Sequence, residues 1–376
     1  MGVIPLHSAQ PGVVKSIVKN IRPVSPVECE AEVLDGLSSF AGEELRRRFG
    51  QRVAIYPQIE PDALRFRYRG DMRALLELRQ TAAVYLIQRY SVPRPRGLLG
   101  HEHFQKLLKQ IQTVQNLHPA GTFRTFRISA AGQDSSVFAR IKEEISRQTG
   151  LIYEPEEAEL FLRVRPSTAK MGGWEVLVRL SPRPLSARAW RICDMEGALN
   201  ATVASAMIEM TLPKSRDRFL NLMCGSGTLL IERLARCPAS LSVGCDIDAS
   251  VLECARQNIG ASGYEGDIQL LQADATRLPF PSCSFDVLCA DLPWGQLVGS
   301  HEQNVSLYPS VLTEAARVAV PGTRAVMLTH EVTLFESLLS TYAALWTLKN
   351  VIRVFQGGLH PRIYCLLRTA QRGEDE

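Results

Sequence analysis

The chain has 376 residues, 45% of them hydrophobic and 22% charged, with a formal net charge of +4 that is unevenly spread. Residues 1–190 carry 28 Lys and Arg against 19 Asp and Glu and the remainder 15 against 20, so the basic first half is the candidate face for a polyanion. This composition implies two or three units with cores of their own and excludes disordered, collagen-like and membrane-spanning classes, since no apolar run approaches the roughly 18 residues of a span.

Residues 1–23 carry Pro5, Pro11 and Pro23 and are expected to form a loose arm. They lack the basic-then-apolar order of a signal peptide, and Leu6 argues against myristoylation, which leaves a cytoplasmic address by default. Ser38 or Ser39 can cap a helix through Phe49 that Gly50 ends, with Arg46, Arg47 and Arg48 at its cation-favouring end. The stretch Leu64-Arg65-Phe66-Arg67-Tyr68-Arg69 alternates as a half-buried strand with an exposed face of three arginines. A helix over 71–79 and an apolar segment over 82–90 complete a small α+β unit before the Pro-rich linker 91–97. Next come a helix over 101–113, a strand over 122–128 with alternating arginines, a helix over 135–149 stopped by Gly150, and strands over 160–166 and 174–180. His101 and His103 at a helix start, and His360 in a hairpin turn, are expected to be solvated rather than metal ligands.

A helix over 197–210 is closed by Pro213. From Asp217 on, strands over 218–223, 241–245, 268–272 and 285–290 alternate with helical patterns. A helix over 305–320 leads to a strand over 324–329, and the late apolar runs 346–355 and 362–367 read as a terminal antiparallel hairpin. Such alternation implies a doubly wound parallel sheet that binds ligands at the carboxyl ends of its strands. The first of these strands runs into Cys224-Gly225-Ser226-Gly227-Thr228, where glycines let a ligand approach the backbone at the start of a helix. A dinucleotide site would need a third glycine where Leu230 stands, which turns the reading away from NAD. Asp246, 21 residues after Gly225, can accept both hydroxyls of a ribose, while Asp248 is expected to cap the next helix. Asp274, after the third strand, is placed to accept from an adenine amino group. The nine cysteines include no CxxC pair, and their odd count predicts reduced thiols with neither a zinc site nor a disulfide frame.

After the fourth strand, Asp291-Leu292-Pro293-Trp294 resembles the Asp/Asn-Pro-Pro-Tyr/Phe/Trp motif of methyltransferases that modify planar amide-like or exocyclic nitrogens. Such a nitrogen is a poor nucleophile because its lone pair is delocalised. Hydrogen bonds from its N–H groups to the Asp291 carboxylate and the Leu292 carbonyl push electron density back onto it. Pro293 would fix that carbonyl and Trp294 would stack on a flipped base. Upstream, the strand with Arg127-Ile128-Ser129-Ala130, the helix after it, Leu162-Arg163-Val164-Arg165-Pro166 and Pro184-Leu185-Ser186-Ala187-Arg188-Ala189-Trp190-Arg191 resemble a THUMP domain. The unit before it resembles the ferredoxin-like domain that precedes THUMP in tRNA-modifying enzymes.

Together, residues 29–368 resemble the THUMP-containing tRNA (guanine-N2)-methyltransferase family. The resemblance implies an α/β Rossmann-like class I methyltransferase domain over 191–370, preceded by an α+β ferredoxin-like domain over 24–96 and a THUMP domain over 97–190. It also implies S-adenosyl-L-methionine as cofactor, no metal, a monomer, and the acceptor end of tRNA as partner. The implied product is N2-methylguanosine at acceptor-stem position 6. Alternatives are tRNA position 10, a ribosomal guanosine, or an RNA-binding scaffold with an inactive fold. Carried over by motif, Asp291, Leu292, Pro293 and Trp294 are catalytic. Asn221, Cys224, Gly225, Ser226, Gly227 and Thr228 form the methionine-side loop, with Asn200 and Thr202 nearby. Asp246 and Ile247 lie at the ribose, and Ala273, Asp274 and Ala275 at the adenine. Two positions depart from the family pattern: Asn221-Leu222 stands where many relatives have Asp-Pro, and Leu292 replaces the first proline of the motif.

Overall fold

The computed structural model describes residues 25–370 apart from 59, 169–171, 296–298 and 356–357, so the expected arm over 1–23 and residues 371–376 lie outside the described residues. The first half contains β1 (Val27–Glu32), α1 (Ser38–Phe49), β2 (Val53–Ile55), β3 (Ala63–Tyr68), β4 (Ala83–Tyr90), α2 (His101–Gln115), β5 (Thr125–Ala130), α3 (Ser136–Thr149), β6 (Ile152–Tyr153), β7 (Leu160–Pro166) and β8 (Trp174–Arg179). These strands form one eight-stranded sheet in the order β2-β3-β1-β4-β8-β7-β5-β6, with β4 joined to β8 across the 91–97 segment. Apolar residues at helical spacing, Ala41, Leu45 and Phe49 on α1, Leu107, Ile111 and Val114 on α2, and Phe138, Ile141 and Ile145 on α3, bury against one face of it. The opposite face holds a small cluster of Tyr85, Ile87, Phe161 and Leu177 beneath a charged layer.

That charged layer corrects the expectation of an arginine face open to solvent. Arg65 donates to Glu30 at 3.0 Å and to Glu175 at 2.7 Å, and both carboxylates are buried. Arg165 also bonds Glu30, and Arg163 lies over the Tyr85 ring. Only Arg67 and Arg69 of the three strand arginines are exposed. Local signals differ in smaller ways as well. Ser38 and Ser39 lie inside α1, whose cap at Leu37 makes no side-chain bond, and the helix expected over 71–79 is a 3-10 turn, Met72–Glu77. The arginines ending α1 are partly consumed: Arg47 bonds Glu209 and Arg48 bonds Glu77.

The second half contains α4 (Ala201–Met210), β9 (Arg218–Asn221), α5 (Thr228–Arg236), β10 (Leu241–Asp246), α6 (Ala249–Ser262), β11 (Gln269–Gln272), β12 (Phe285–Asp291), α7 (His301–Val318), β13 (Ala319–Thr329), α8 (Val332–Thr341), β14 (Trp346–Arg353) and β15 (Arg362–Arg368). Its seven strands run β11-β10-β9-β12-β13-β15-β14. The first five pair in parallel, and β15 turns antiparallel between β13 and β14, as the terminal hairpin pattern predicts. One face buries Val203, Met207, Leu230, Ile231 and Ile259 of α4, α5 and α6; the other buries Tyr308, Val311, Leu312 and Phe335 of α7 and α8. The sheet is therefore covered on both faces, and its order reverses beside β9, which opens a crevice at the carboxyl ends of β9 and β12.

The halves meet along a charged seam. Glu232 of α5 is fully buried and accepts from Arg79 at 2.7 and 2.9 Å and from Arg188 at 2.8 Å. Gln80 donates to Ser205 at 2.9 Å beside it, and Leu37 packs into the core of the second half. The cysteines depart from expectation: Cys193 and Cys254 form a disulfide that ties the segment before α4 to α6. Spacing alone gave no hint of this pair, because the two lie 61 residues apart and meet only once α6 packs against the 191–199 segment. Asn258 reinforces the joint, accepting from the N–H groups of Ile192 and Cys193 at 3.0 and 2.9 Å.

Candidate active site

The crevice is a cavity of about 980 Å³ at the carboxyl ends of the strands. Its walls include Asp246 and Ile247 after β10, Ala273, Asp274 and Ala275 after β11, and Asp291, Leu292, Pro293 and Trp294 after β12. Residues from separate stretches of sequence thus converge on one space.

Beneath it lies the glycine loop. Gly225 and Gly227 adopt φ of 51° and 83°, in the left-handed region that favours glycine. The Gly225 N–H donates to Asp246 Oδ2 at 2.9 Å, and the Asp248 N–H donates to Oδ1 at 3.2 Å. Each Asp246 oxygen keeps a second lone pair for a ligand hydroxyl. Asp248 caps α6 through Ser250, as expected. Burial, with Asp246 and Cys245 beside it, holds the Cys224 thiol well above its usual range, so it packs as a neutral group. Ile247 is 67% exposed and offers an apolar side to the cavity. Asp274 Oδ1 accepts from the Thr276 N–H and hydroxyl, both at 2.8 Å, which leaves Oδ2 available.

Asn200 caps α4 by accepting from the Thr202 N–H at 2.8 Å. Thr202 and Asn221 are fully buried, and among the described residues the Thr202 hydroxyl and both amide atoms of Asn221 have no partner. Ser226 and Thr228 hydroxyls lie 3.4 Å apart, with Arg191 donating to the latter at 3.0 Å. These residues and the two glycines form the floor behind the cavity rather than its lining.

At the mouth, the Trp294 Nε1–H donates to Asp291 Oδ1 at 3.0 Å. Burial pushes the Asp291 carboxyl up to about 7, against the opposing effect of that hydrogen bond. The Pro293 carbonyl accepts from the Tyr308 hydroxyl at 2.5 Å and from Asn304 Nδ2 at 3.0 Å. With the next carbonyl tied down in this way, the Leu292 carbonyl takes no hydrogen bond among the described residues. The turn therefore presents one carboxylate oxygen and one backbone acceptor, both suited to an N–H donor.

Comparison with known proteins bears on this arrangement. The UPF0020 family (RMKL-like, methyltransferase domain) matches residues 188–362. The tRNA (guanine(6)-N2)-methyltransferase of Thermus thermophilus is 30% identical over 251 residues, which cover 64% of this chain and 72% of that protein. This chain belongs to the tRNA (guanine-N2)-methyltransferase family. The chain spans only 37% of the mouse relative tRNA (guanine(6)-N(2))-methyltransferase THUMP3, at 34% identity over 185 residues, or 46% of this chain. In fold it is similar to the crystal structure of TrmN from Thermus thermophilus, with a TM-score of 0.71, 24% identity, and coverage of 91% of this chain and 99% of that one.

In this member of the tRNA (guanine-N2)-methyltransferase family, sequence reasoning missed part of the cavity wall. Gln303, Ser306, Leu307 and Ser310 of α7 line it, as do Gly197 and Ala198 ahead of α4. The α7 residues recur at the three- and four-residue steps of a single helix face, a signal that was present but mixed with polar residues. No group of three or more His, Cys, Asp or Glu among the described residues is arranged to hold a metal ion.

Proposed function

We propose that this chain transfers a methyl group from S-adenosyl-L-methionine to the exocyclic N2 of guanosine in tRNA, at position 6 of the acceptor stem. The observation that carries the reading is the Asp291-Leu292-Pro293-Trp294 turn at the mouth of the crevice. Family membership supports it, and the Thermus relative bears that activity in its name.

When bound, S-adenosyl-L-methionine supplies an electrophilic methyl group on a sulfonium. Asp246 would hold the ribose with its two remaining lone pairs, Ile247 would lie along the adenine, and Asp274 Oδ2 would accept from the adenine amino group, flanked by Ala273 and Ala275. Asn200, Thr202, Asn221 and the loop from Cys224 to Thr228, set behind the lining, would support the methionine end from below, with Leu222 and Met223 of the same segment lining the cavity itself. The orphaned polar atoms of Thr202 and Asn221 fit a polar guest at that end. The target guanine would stack on Trp294 and give its amino hydrogens to Asp291 and to the Leu292 carbonyl. The N2 that accepts the methyl group would have a proton to lose, and the residue beside it is Asp291. Asp291, pushed up to about 7, is matched to take the surplus proton near neutral pH.

The tRNA would lie on the first half of the chain, read as the ferredoxin-like domain over 24–96 and the THUMP domain over 97–190, ahead of the catalytic domain over 191–370. Exposed Arg94, Arg96, Lys106 and Lys109, none in an ion pair among the described residues, are among the cations available to phosphates, as are Arg67 and Arg69. The protein would work as a monomer in the cytoplasm.

The test is incubation with labelled S-adenosyl-L-methionine and unmodified tRNA, followed by nucleoside analysis and mapping, beside Asp291→Ala. Label in N2-methylguanosine at position 6, absent from the variant, is expected. Label at position 10 or only in ribosomal RNA corrects the target, and cofactor binding without transfer to any RNA overturns the reading.

A further inference from the structure

Trp294 is a wall between two cavities, the crevice described above and an outer cleft of about 560 Å³. The outer cleft is bounded by His330 and Glu331, which follow β13, by His301 at the start of α7, and by the first turns of α8. From this side two contacts prop the turn over 291–295. The His330 ring lies against the indole, with centroids 6.1 Å apart and planes 28° apart. The Glu331 carboxylate pairs with His301 Nδ1 at 3.0 and 3.1 Å, and a Cβ added to Gly295 would fall 2.6 Å from Glu331 Oε1.

Both props come from the end of β13, which also anchors the turn internally. The Glu331 N–H donates to Thr329 Oγ1 at 2.9 Å, and that hydroxyl lies 2.7 Å from the Tyr308 hydroxyl that holds the Pro293 carbonyl. On the inner side the indole has a single directional contact, its bond to Asp291. One hydrogen bond at a ring edge fixes where that edge sits and leaves the tilt of the plane free to rock about it. The His330 ring on the outer face removes that freedom.

We propose that His330 is a positioning residue that sets the plane of the Trp294 indole against the target base. The proposal rests on the stacking role given to Trp294 above. Stacking of a flipped base aligns its nitrogen with the methyl donor only if the supporting plane is fixed, and displacement by about 1 Å can lower a rate by about 100-fold. His330 does this from behind the indole and does not touch the base.

The experiment uses the full chain labelled with 5-fluorotryptophan, the Trp294 signal being assigned by its loss in Trp294→Phe. In His330→Ala the Trp294 fluorine signal should move and broaden, kcat on tRNA should fall about tenfold, and S-adenosyl-L-methionine affinity should stay within about twofold. His330→Phe, which restores a ring without an imidazole, should recover both signal and kcat. An unmoved Trp294 signal in His330→Ala overturns the proposal, as does unchanged kcat despite a moved signal, or a Phe variant as impaired as the Ala variant. If the unaltered chain methylates no guanosine, the proposed function fails, and the fluorine signal still decides whether His330 sets the ring.

Discussion

The indole Nε1–H of Trp294 and Oδ1 of Asp291 are joined by a hydrogen bond of 3.0 Å, so the aromatic platform and the acceptor beside it are one unit. A Tyr or Phe at this place would have no indole donor, and the carboxylate would be set by other means. Here a single side chain orients its neighbour and lowers that neighbour's proton affinity.

The acid limb of activity follows. Because burial raises the Asp291 carboxyl to about 7, the group is protonated below that pH and cannot accept from the amino group of a base. Methyl transfer measured as kcat/KM should fall about tenfold per pH unit below roughly 7. In Trp294→Phe, loss of the donor raises the carboxyl further, so the limb should move to higher pH. A limb that stays in place or moves to lower pH would show that the bond does not tune Asp291.

Stability should change in the opposite sense to activity. A carboxyl raised by folding is neutral in the native state at acid pH, and the desolvation penalty appears as pH rises from the unfolded value toward 7. Asp291→Asn is therefore expected to stabilise the protein by up to about 4 kcal/mol at pH 8 and by nothing near pH 3, while transfer is lost. Denaturant melts at the two pH values check it.

Arginines of the first half should separate into two classes. Arg65→Met breaks the buried set with Glu30 and Glu175 and should cost about 3 kcal/mol of stability. Replacing Arg94, Arg96, Lys106 and Lys109 by Gln should leave stability nearly unchanged and weaken tRNA binding. It should also flatten the salt dependence, lowering the slope of log affinity against log salt by roughly one for each phosphate that is no longer neutralised. Equal loss of tRNA affinity in both variants would refute the division.

The Cys193–Cys254 bond closes a chain segment of 61 residues and should contribute about 2–4 kcal/mol. Thermal melts of Cys254→Ser and of the reduced protein should coincide, both below the oxidised form. Ellman titration should find two more thiols after reduction. Since Gly197 and Ala198 lie within the tethered segment and line the crevice, cofactor affinity measured by calorimetry should weaken in both.

Much of the second half is legible from sequence because four of its strands run into a glycine or aspartate of recognisable chemistry. Gly225, Asp246, Asp274 and Asp291 all stand at such ends, and hydrophobic periodicity alone puts them on one edge of a parallel sheet. What stayed hidden depends on long-range meetings. Arg65 alternates as an exposed residue should, and only the pairing of β3 with β1 and the placement of Glu175 bury its charge. The α8 helix gave no sequence expectation: its polar and apolar residues frame only one buried side chain, Phe335. His330 and Glu331 were missed because their role is to support a turn 35 or more residues away in sequence.

The seam at Glu232 has a bearing on engineering. A catalytic half excised at residue 190 would keep that carboxylate and lose both guanidiniums, since Arg79 and Arg188 lie on the discarded side. Gln80 would leave Ser205 unmatched in the same cut. The two halves are thus not interchangeable parts. A chimera that borrows its first half from a relative should fold well only if the graft delivers its own pair of guanidiniums to Glu232, which makes those two positions the first to inspect before any swap.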